Sequence, residues 1–243
     1  MQNLTTTDVC ERFIKPVTNA AQSSYCDLLA FGNHPCVGQA NVFISHAWKF
    51  QFLDVVDSLR NHFLGGDQNQ RQEKEKKEEE EVIVWFDLFS NNQHKAVDLD
   101  FNYWATTFKS AIESFGRTVM VLSPWQDPVP LTRAWCLWEL FCTVTTKSKF
   151  EIAMSVVSKE KFIEDMLRDP YGEINKMLTT INVERSECFK PEDKVRIFES
   201  VRLNVGFSEL NKLVFERLRE WVIETMKEEL RLVEREELEL RQS

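Results

Sequence analysis

The fold is decided by residues 41–48, NVFISHAW, in which a short apolar run ends at a serine and a histidine. The run is β-branched or aromatic throughout, which is typical of a strand buried on both faces. Residues 82–89 (VIVWFDLF) and 118–122 (TVMVL) have the same character, and residues 150–156 are expected to form a fourth strand. Because the apolar residues are continuous rather than alternating, they predict a parallel sheet covered on both faces.

Helical patterns separate these strands. Apolar side chains recur at helical spacing over residues 52–59, 102–115 and 133–146, and Thr132 is expected to cap the last helix. Residues 181–189 are expected to add a fifth strand. This alternation predicts an α/β fold, an open flavodoxin-like three-layer sandwich with a parallel sheet and helical extensions at both ends.

The predicted organisation has three parts. Residues 1–40 form a helical lead-in, residues 41–190 form the α/β domain, and residues 191–243 form a C-terminal helical extension. Residues 67–81, DQNQRQEKEKKEEEE, contain no apolar side chain and predict a charged surface insertion in the domain.

Composition excludes several classes of function. The chain has 243 residues, 30 Lys and Arg against 39 Asp and Glu, and a net charge of −9, so no nucleic-acid partner is expected. No apolar run is long enough to cross a membrane, and no secretory signal is recognisable, which predicts a cytoplasmic protein with reduced cysteines. No metal is expected, because the spacing of Cys26, His34, Cys36 and His46 matches no standard zinc pattern.

Ligands of open parallel sheets bind at the carboxyl ends of the strands. The candidate substrate-binding residues at the first two strand ends are Ser45, His46, Ala47, Trp48, Asp87 and Phe89. Packing at the strand end remains the alternative for His46 and Trp48, and capping of the next turn remains the alternative for Asp87. The chain lacks the GxGxxG, GxxxxGK[ST] and GxSxG motifs, so neither a common nucleotide cradle nor a hydrolase elbow is indicated.

Glu139 is the only charged residue from position 134 to position 146. Its neighbours three and four positions away are Trp135, Cys136, Cys142 and Thr143, and none of them neutralises a carboxylate. An acid in such surroundings is costly unless something uses it, which makes Glu139 a candidate functional group. A partly exposed glutamate paired with a distant Arg or Lys is an equal alternative at this point.

Four segments together resemble the Toll/interleukin-1 receptor (TIR) domain family. They are VFISHAW (42–48), VWFDLF (84–89), RTVMVLSPW (117–125) and WCLWEL (135–140), in the order in which the family carries its strands and its WCLxEL helix. The resemblance covers roughly residues 41–157. It implies the TIR fold and self-association through TIR–TIR contacts.

Some TIR domains cleave NAD+, and in these a glutamate four residues after a tryptophan is essential. The resemblance therefore implies that Glu139 is the catalytic carboxylate and that the loop at about residues 90–100 gates the site. Trp48, Phe89 or Trp135 is expected to supply a flat apolar wall for the nicotinamide ring. NAD+ is then the substrate, with no further cofactor, and the products are nicotinamide and ADP-ribose or a cyclic isomer. Two alternatives stay open: a non-catalytic TIR assembly module and a nucleoside-processing enzyme of similar form.

Overall fold

The computed structural model of the chain describes residues 3–64, 81–95, 101–122, 125–126, 128–179, 181–188 and 190–242. The charged insertion predicted at residues 67–81 lies outside these ranges except for its last residue. The gating loop predicted at about residues 90–100 is described only as far as residue 95.

The described strands form one four-stranded parallel sheet. They are β1 (Val42–Ser45), β2 (Val84–Trp85), β3 (Arg117–Val121) and β4 (Lys149–Ala153), in the spatial order β2-β1-β3-β4. The register places Ser45 of β1 opposite Met120 of β3. The parallel α/β sheet predicted from the apolar runs is confirmed, and its strand order is that of a flavodoxin-like sheet.

Helices cover both faces of the sheet. The connecting helices are α4 (Phe52–Leu64), α5 (Asp87–Ser90), α6 (Phe101–Phe115), α7 (Ala134–Thr145) and α8 (Val156–Arg168). Alternate residues of β1 point to opposite faces, so Phe43 joins the core under α6 and α7 while Ile44 joins a second core with Val55 of α4. The three-layer arrangement follows from this alternation.

The N-terminal segment packs onto the second of these cores. It contains α1 (Thr6–Val9), a π-helical turn (Cys10–Ile14), α2 (Lys15–Thr18) and α3 (Tyr25–Phe31). Pro16 directly follows the π-helical turn, in which the Lys15 N–H donates to the Cys10 carbonyl, and this wider turn accommodates a residue that has no N–H to donate. Thr5 and Ser24 each form a capping box at the start of α1 and α3.

The C-terminal helices share the main core. They are α9 (Pro170–Thr179), α10 (Pro191–Asn204) and α11 (Phe207–Gln242). Leu210, Val214, Leu218 and Val222 lie on one face of α11 and are buried against the core that contains α6 and α7. No helix of the described segments has the length and apolar character needed to cross a membrane.

The predicted fifth strand at residues 181–189 is wrong for the residues that the structure describes there. Residues 183–185 form a short 3-10 turn. The Asn182 side chain accepts a hydrogen bond from the Arg185 backbone N–H at 3.1 Å, and the Ser186 hydroxyl donates to the Val183 carbonyl at 2.7 Å. Such local bonds compete with strand pairing, and only one bridge, between Arg133 and Glu187, remains.

Three boundaries also differ from the prediction. The fourth strand, expected over residues 150–156, ends at Ala153, because Ser155 caps the helix that begins at Val156. Thr132 does not cap α7, because its hydroxyl donates to the Val129 carbonyl and the N-cap is Arg133. The Ala134 N–H at the start of α7 instead donates to the Glu187 carbonyl at 2.8 Å. The second strand ends at Trp85 because α5 begins at Asp87, where sequence patterns predict a strand through Phe89.

Candidate functional site

The carboxyl ends of β1 and β3 lie side by side at the centre of the sheet, and the connections that follow these two strands lead to opposite edges of the sheet. The connection after β1 runs through α4 on one face, and the connection after β3 runs through α7 on the other. This topological switch is the position at which open α/β sheets bind ligands. Ser45, the last residue of β1, lies there and points toward the α7 layer.

Ser45 and Glu139 form the centre of the site. The Ser45 hydroxyl donates a hydrogen bond of 2.6 Å to Glu139 Oε2. Glu139 is only 8 % exposed, and within the described residues its carboxyl forms no ion pair with Lys or Arg. For the described residues, the alternative of a partly exposed glutamate paired with a distant Arg or Lys is therefore wrong.

Burial dominates the ionisation of Glu139. Loss of solvent raises the pKa of its carboxyl to about 8, the hydrogen bond from Ser45 opposes this rise, and the negative charge of Asp87 adds to it. The carboxyl is therefore mostly protonated at neutral pH in the unliganded protein. A positive charge placed beside it would favour the carboxylate.

Helix α7 is buried on nearly every side, and it therefore holds Glu139 in place. Leu137 and Leu140 pack into the main core. The Thr143 hydroxyl donates to the Glu139 carbonyl at 2.8 Å and approaches the Thr118 hydroxyl of β3 at 3.0 Å. These contacts fix the helix against the sheet, so the Glu139 side chain has little freedom to turn away from Ser45.

A second group surrounds Asp87 at the end of β2. The Trp48 indole N–H donates to Asp87 Oδ2 at 2.6 Å, and His46 Nδ1 lies 3.8 Å from Asp87 Oδ1. Burial lowers the pKa of His46, with Asp87 opposing, so the imidazole is neutral. The Gln93 side-chain amide donates to the Asp87 carbonyl at 2.8 Å and orders the following loop.

Cys136 connects the two groups. Its thiol donates to the His46 carbonyl at 3.6 Å, which ties α7 to the segment after β1. Burial raises the pKa of this thiol well above its usual range, with the negative charge of Glu139 contributing. Cys136 is therefore a neutral structural thiol rather than a thiolate nucleophile.

Three predicted residues lie apart from this centre. Trp135 packs against Phe101 and Phe108 with ring centroids 5.6 and 5.3 Å away, and its indole N–H donates to Asp193 at 3.4 Å. Phe89 packs in the opposite layer. Ala47 is 2 % exposed and belongs to that layer's core. Among the predicted residues, side-chain contacts thus form two groups. One group is Ser45 with Glu139, and the other is Asp87 with His46 and Trp48.

Sequence patterns missed Gln93, Cys136 and Asp193 as members of this neighbourhood. Gln93 is buried at 7 % exposure, although it lies in a polar loop whose composition predicts solvent exposure. Asp193 is 58 positions from Trp135, and no motif connects the two. Among the described residues, no group of three or more His, Cys, Asp and Glu side chains is placed to hold a metal ion.

A groove of about 390 Å³ lies elsewhere on the molecule. It is lined by Ile181 and by residues of α11, among them Lys212, Phe215 and Arg219. None of the residues around Glu139 or Asp87 lines it. The candidate site at Glu139 is defined by the position and chemistry of its buried carboxyl, and this groove is not part of it.

The pH dependence of stability provides a test of the burial of Glu139. Between pH 4.5 and about 8, the folded protein retains a proton that the unfolded chain has lost, so this group reduces stability as pH rises. Glu139→Gln removes this proton linkage. The free energy of unfolding of the variant, relative to that of wild type, is therefore expected to be higher at pH 8 than at pH 5 by about 2 kcal/mol or more. Urea unfolding at both pH values measures this difference.

The matched control is Glu113→Gln, which changes an exposed glutamate on α6. It is expected to follow the wild-type pH dependence. Identical curves for Glu139→Gln and Glu113→Gln would show that Glu139 is not the buried acid of this structure.

No family model matches this chain, and no curated protein sequence or solved structure matches it either. The described residues define an α/β protein with a buried carboxyl, that of Glu139, at the carboxyl edge of a parallel sheet. What the chain does is therefore inferred from its own residues and geometry.

Proposed function

We propose that this chain is a TIR-type NAD+ glycohydrolase or cyclase that cleaves the bond between nicotinamide and ribose. The observation that carries the proposal is Glu139, a carboxyl buried at the switch point of the sheet, bonded to Ser45 and paired with no described cation. A buried carboxyl that no described cation neutralises is costly to the fold, and such groups cluster at functional sites.

The chemistry of NAD+ suits a site with one carboxylate. Ordinary glycosidases need a second carboxyl to protonate the departing oxygen. The nicotinamide of NAD+ is a cationic pyridinium, so it leaves as a neutral molecule and takes the bonding electron pair with no general acid. Positive charge then develops on the ribose, and a fixed carboxylate in a low-dielectric site stabilises it.

Glu139 is assigned two roles in this reaction. When the cationic substrate binds, the Glu139 carboxyl loses its proton to solvent more readily, since an opposite charge lowers a carboxyl pKa. The resulting carboxylate stabilises the ribosyl cation and orients a ribose hydroxyl, while Ser45 holds it in one orientation. Attack by water gives ADP-ribose, and attack by a nucleophile within the substrate gives a cyclic isomer.

The test of the proposal is a comparison of NAD+ with NADH. Purified protein at high concentration is incubated with each, and nicotinamide release is followed by chromatography. We expect nicotinamide from NAD+ and no base release from NADH, whose dihydronicotinamide ring is uncharged and is a poor leaving group. Intact NAD+ after prolonged incubation would reject the enzyme and favour the non-catalytic assembly module.

A pH profile provides a second prediction. The free enzyme needs ionised Glu139, so kcat/KM is expected to rise with an apparent pKa near 8 and to fall about tenfold per pH unit below it. The profile of kcat is expected to be displaced to lower pH, because bound cation favours the carboxylate. Initial rates from pH 5 to pH 9 measure both. A flat kcat/KM profile across this range contradicts the assignment.

Self-association is part of the same proposal. Residues 223–242 of α11 extend the helix beyond its buried half and carry exposed apolar side chains, including Leu230, Val233 and Leu238. We propose that these side chains contact a second copy of the chain. Sedimentation at increasing concentration distinguishes a monomer from a TIR-type assembly.

A further inference from the structure

Trp48 is fixed at two points. Its indole N–H donates to Asp87 Oδ2 at 2.6 Å, and its carbonyl accepts a hydrogen bond from the Thr7 backbone N–H at 3.2 Å. The side chain remains partly exposed while one side of it packs against the second core. The indole ring is therefore held in one orientation at the carboxyl edge of the sheet, three residues after Ser45.

The other aromatic candidates are already occupied. Trp135 packs against Phe101 and Phe108, and Phe89 packs against Tyr25, Phe52 and Phe86. Within the described part of the chain, no ring contact pairs Trp48 with another aromatic side chain. Trp48 is thus the candidate whose ring is positioned but not stacked.

The charges around Trp48 favour a cation. The Asp87 carboxyl accepts the indole N–H and lies beside His46, which burial keeps neutral. Neither Asp87 nor Glu139 forms an ion pair with a described Lys or Arg. An indole face attracts cations through its quadrupole, and an adjacent carboxylate strengthens that attraction.

We infer that the Trp48 indole, clamped by Asp87, is the surface on which the positively charged nicotinamide ring of the substrate stacks. The inference rests on the proposed function and adds the determinant of recognition, which is the charge of the N-alkylated pyridinium ring. The same surface would accept other nucleotides and nucleosides that carry an N-alkylpyridinium, and it would discriminate against the reduced, uncharged ring.

Equilibrium binding of 1-methylnicotinamide tests the inference without turnover. Calorimetry is expected to give wild-type protein an affinity for this cation about tenfold higher than for neutral nicotinamide. Trp48→Ala is expected to lose about tenfold in affinity for the cation, and Trp48→Phe less, because a phenyl face is a weaker cation binder. The cation should also quench wild-type tryptophan fluorescence more than it quenches Trp48→Phe.

Trp221→Phe is the matched control, since it changes a partly buried tryptophan that packs on Phe162 in α8. It is expected to bind the cation as wild type does. Asp87→Asn keeps the Trp48 ring, and it is expected to weaken binding of 1-methylnicotinamide but not binding of neutral nicotinamide. This variant tests the inference if Trp48→Ala fails to fold. Equal wild-type affinity for the two probes, or unchanged cation affinity in folded Trp48 and Asp87 variants, overturns the inference.

The outcome is separable from that of the proposed function. If the protein binds the cation through Trp48 but leaves NAD+ intact, the binding surface is supported and only the proposed cleavage of NAD+ is rejected. Cleavage of NAD+ with KM and cation affinity unaffected by Trp48→Ala rejects only the surface.

Discussion

Glu139→Gln is expected to lower kcat/KM for NAD+ by at least about a thousandfold. Glutamine retains the size and an acceptor oxygen for the Ser45 hydroxyl, but it supplies no negative charge to the developing ribosyl cation. The loss should fall on kcat, because the charge stabilises the transition state, and KM should also rise, because the same carboxylate favours binding of the cationic substrate. Initial rates of nicotinamide release measure both constants.

Two further measurements make this result interpretable. Glu113→Gln, an exposed change on α6, is expected to retain wild-type rates. Circular dichroism and urea unfolding establish that Glu139→Gln is folded, as expected if the residue contributes charge rather than packing. Retention of a tenth or more of wild-type kcat/KM would assign the chemistry to another residue.

Leu218→Ala is expected to reduce the free energy of unfolding by about 2–5 kcal/mol. Leu218 is fully buried at 0 % exposure, in the same core as α6 and α7. Truncation to alanine removes apolar contact and leaves a cavity that the surrounding helices fill only in part. The expected loss means that α11 stabilises the domain that carries the site.

Leu230→Ala is the matched control on the same helix. Leu230 is 55 % exposed, so its truncation is expected to change the free energy of unfolding by no more than about 0.5 kcal/mol. Urea unfolding of both variants at low protein concentration measures the difference. Equal effects of the two substitutions would show that α11 does not pack on the core as the structure places it.

The sheet was predictable from sequence because its signal is local. The apolar residues of β1 and β3 have no helical period and end at polar side chains, and both strands form where expected. The absence of the expected fifth strand was not predictable, because the Asn182 and Ser186 side chains form hydrogen bonds to the backbone of this segment. A short apolar run does not reveal that competition.

The site was predictable only in part. The absence of other charges around Glu139 indicates an unusual carboxyl, but its partner Ser45 is 94 positions away. Spacing of four places Trp135 and Glu139 on one helical face. Tertiary packing nevertheless directs Trp135 toward Phe101 and Phe108, and Glu139 toward β1. Which aromatic ring stays available is therefore a property of the folded neighbourhood.

A single-turnover incubation tests whether the carboxyl buried beside Ser45 cleaves NAD+. Purified protein comprising residues 1–243 is mixed in molar excess over NAD+ at pH 8, where Glu139 is substantially ionised, and nicotinamide is quantified over time. We expect the wild-type protein to release one equivalent of nicotinamide per NAD+, and Glu139→Gln to release none on that timescale. Quantitative recovery of NAD+ from the wild-type mixture, or equal release by Glu139→Gln, would contradict this expectation.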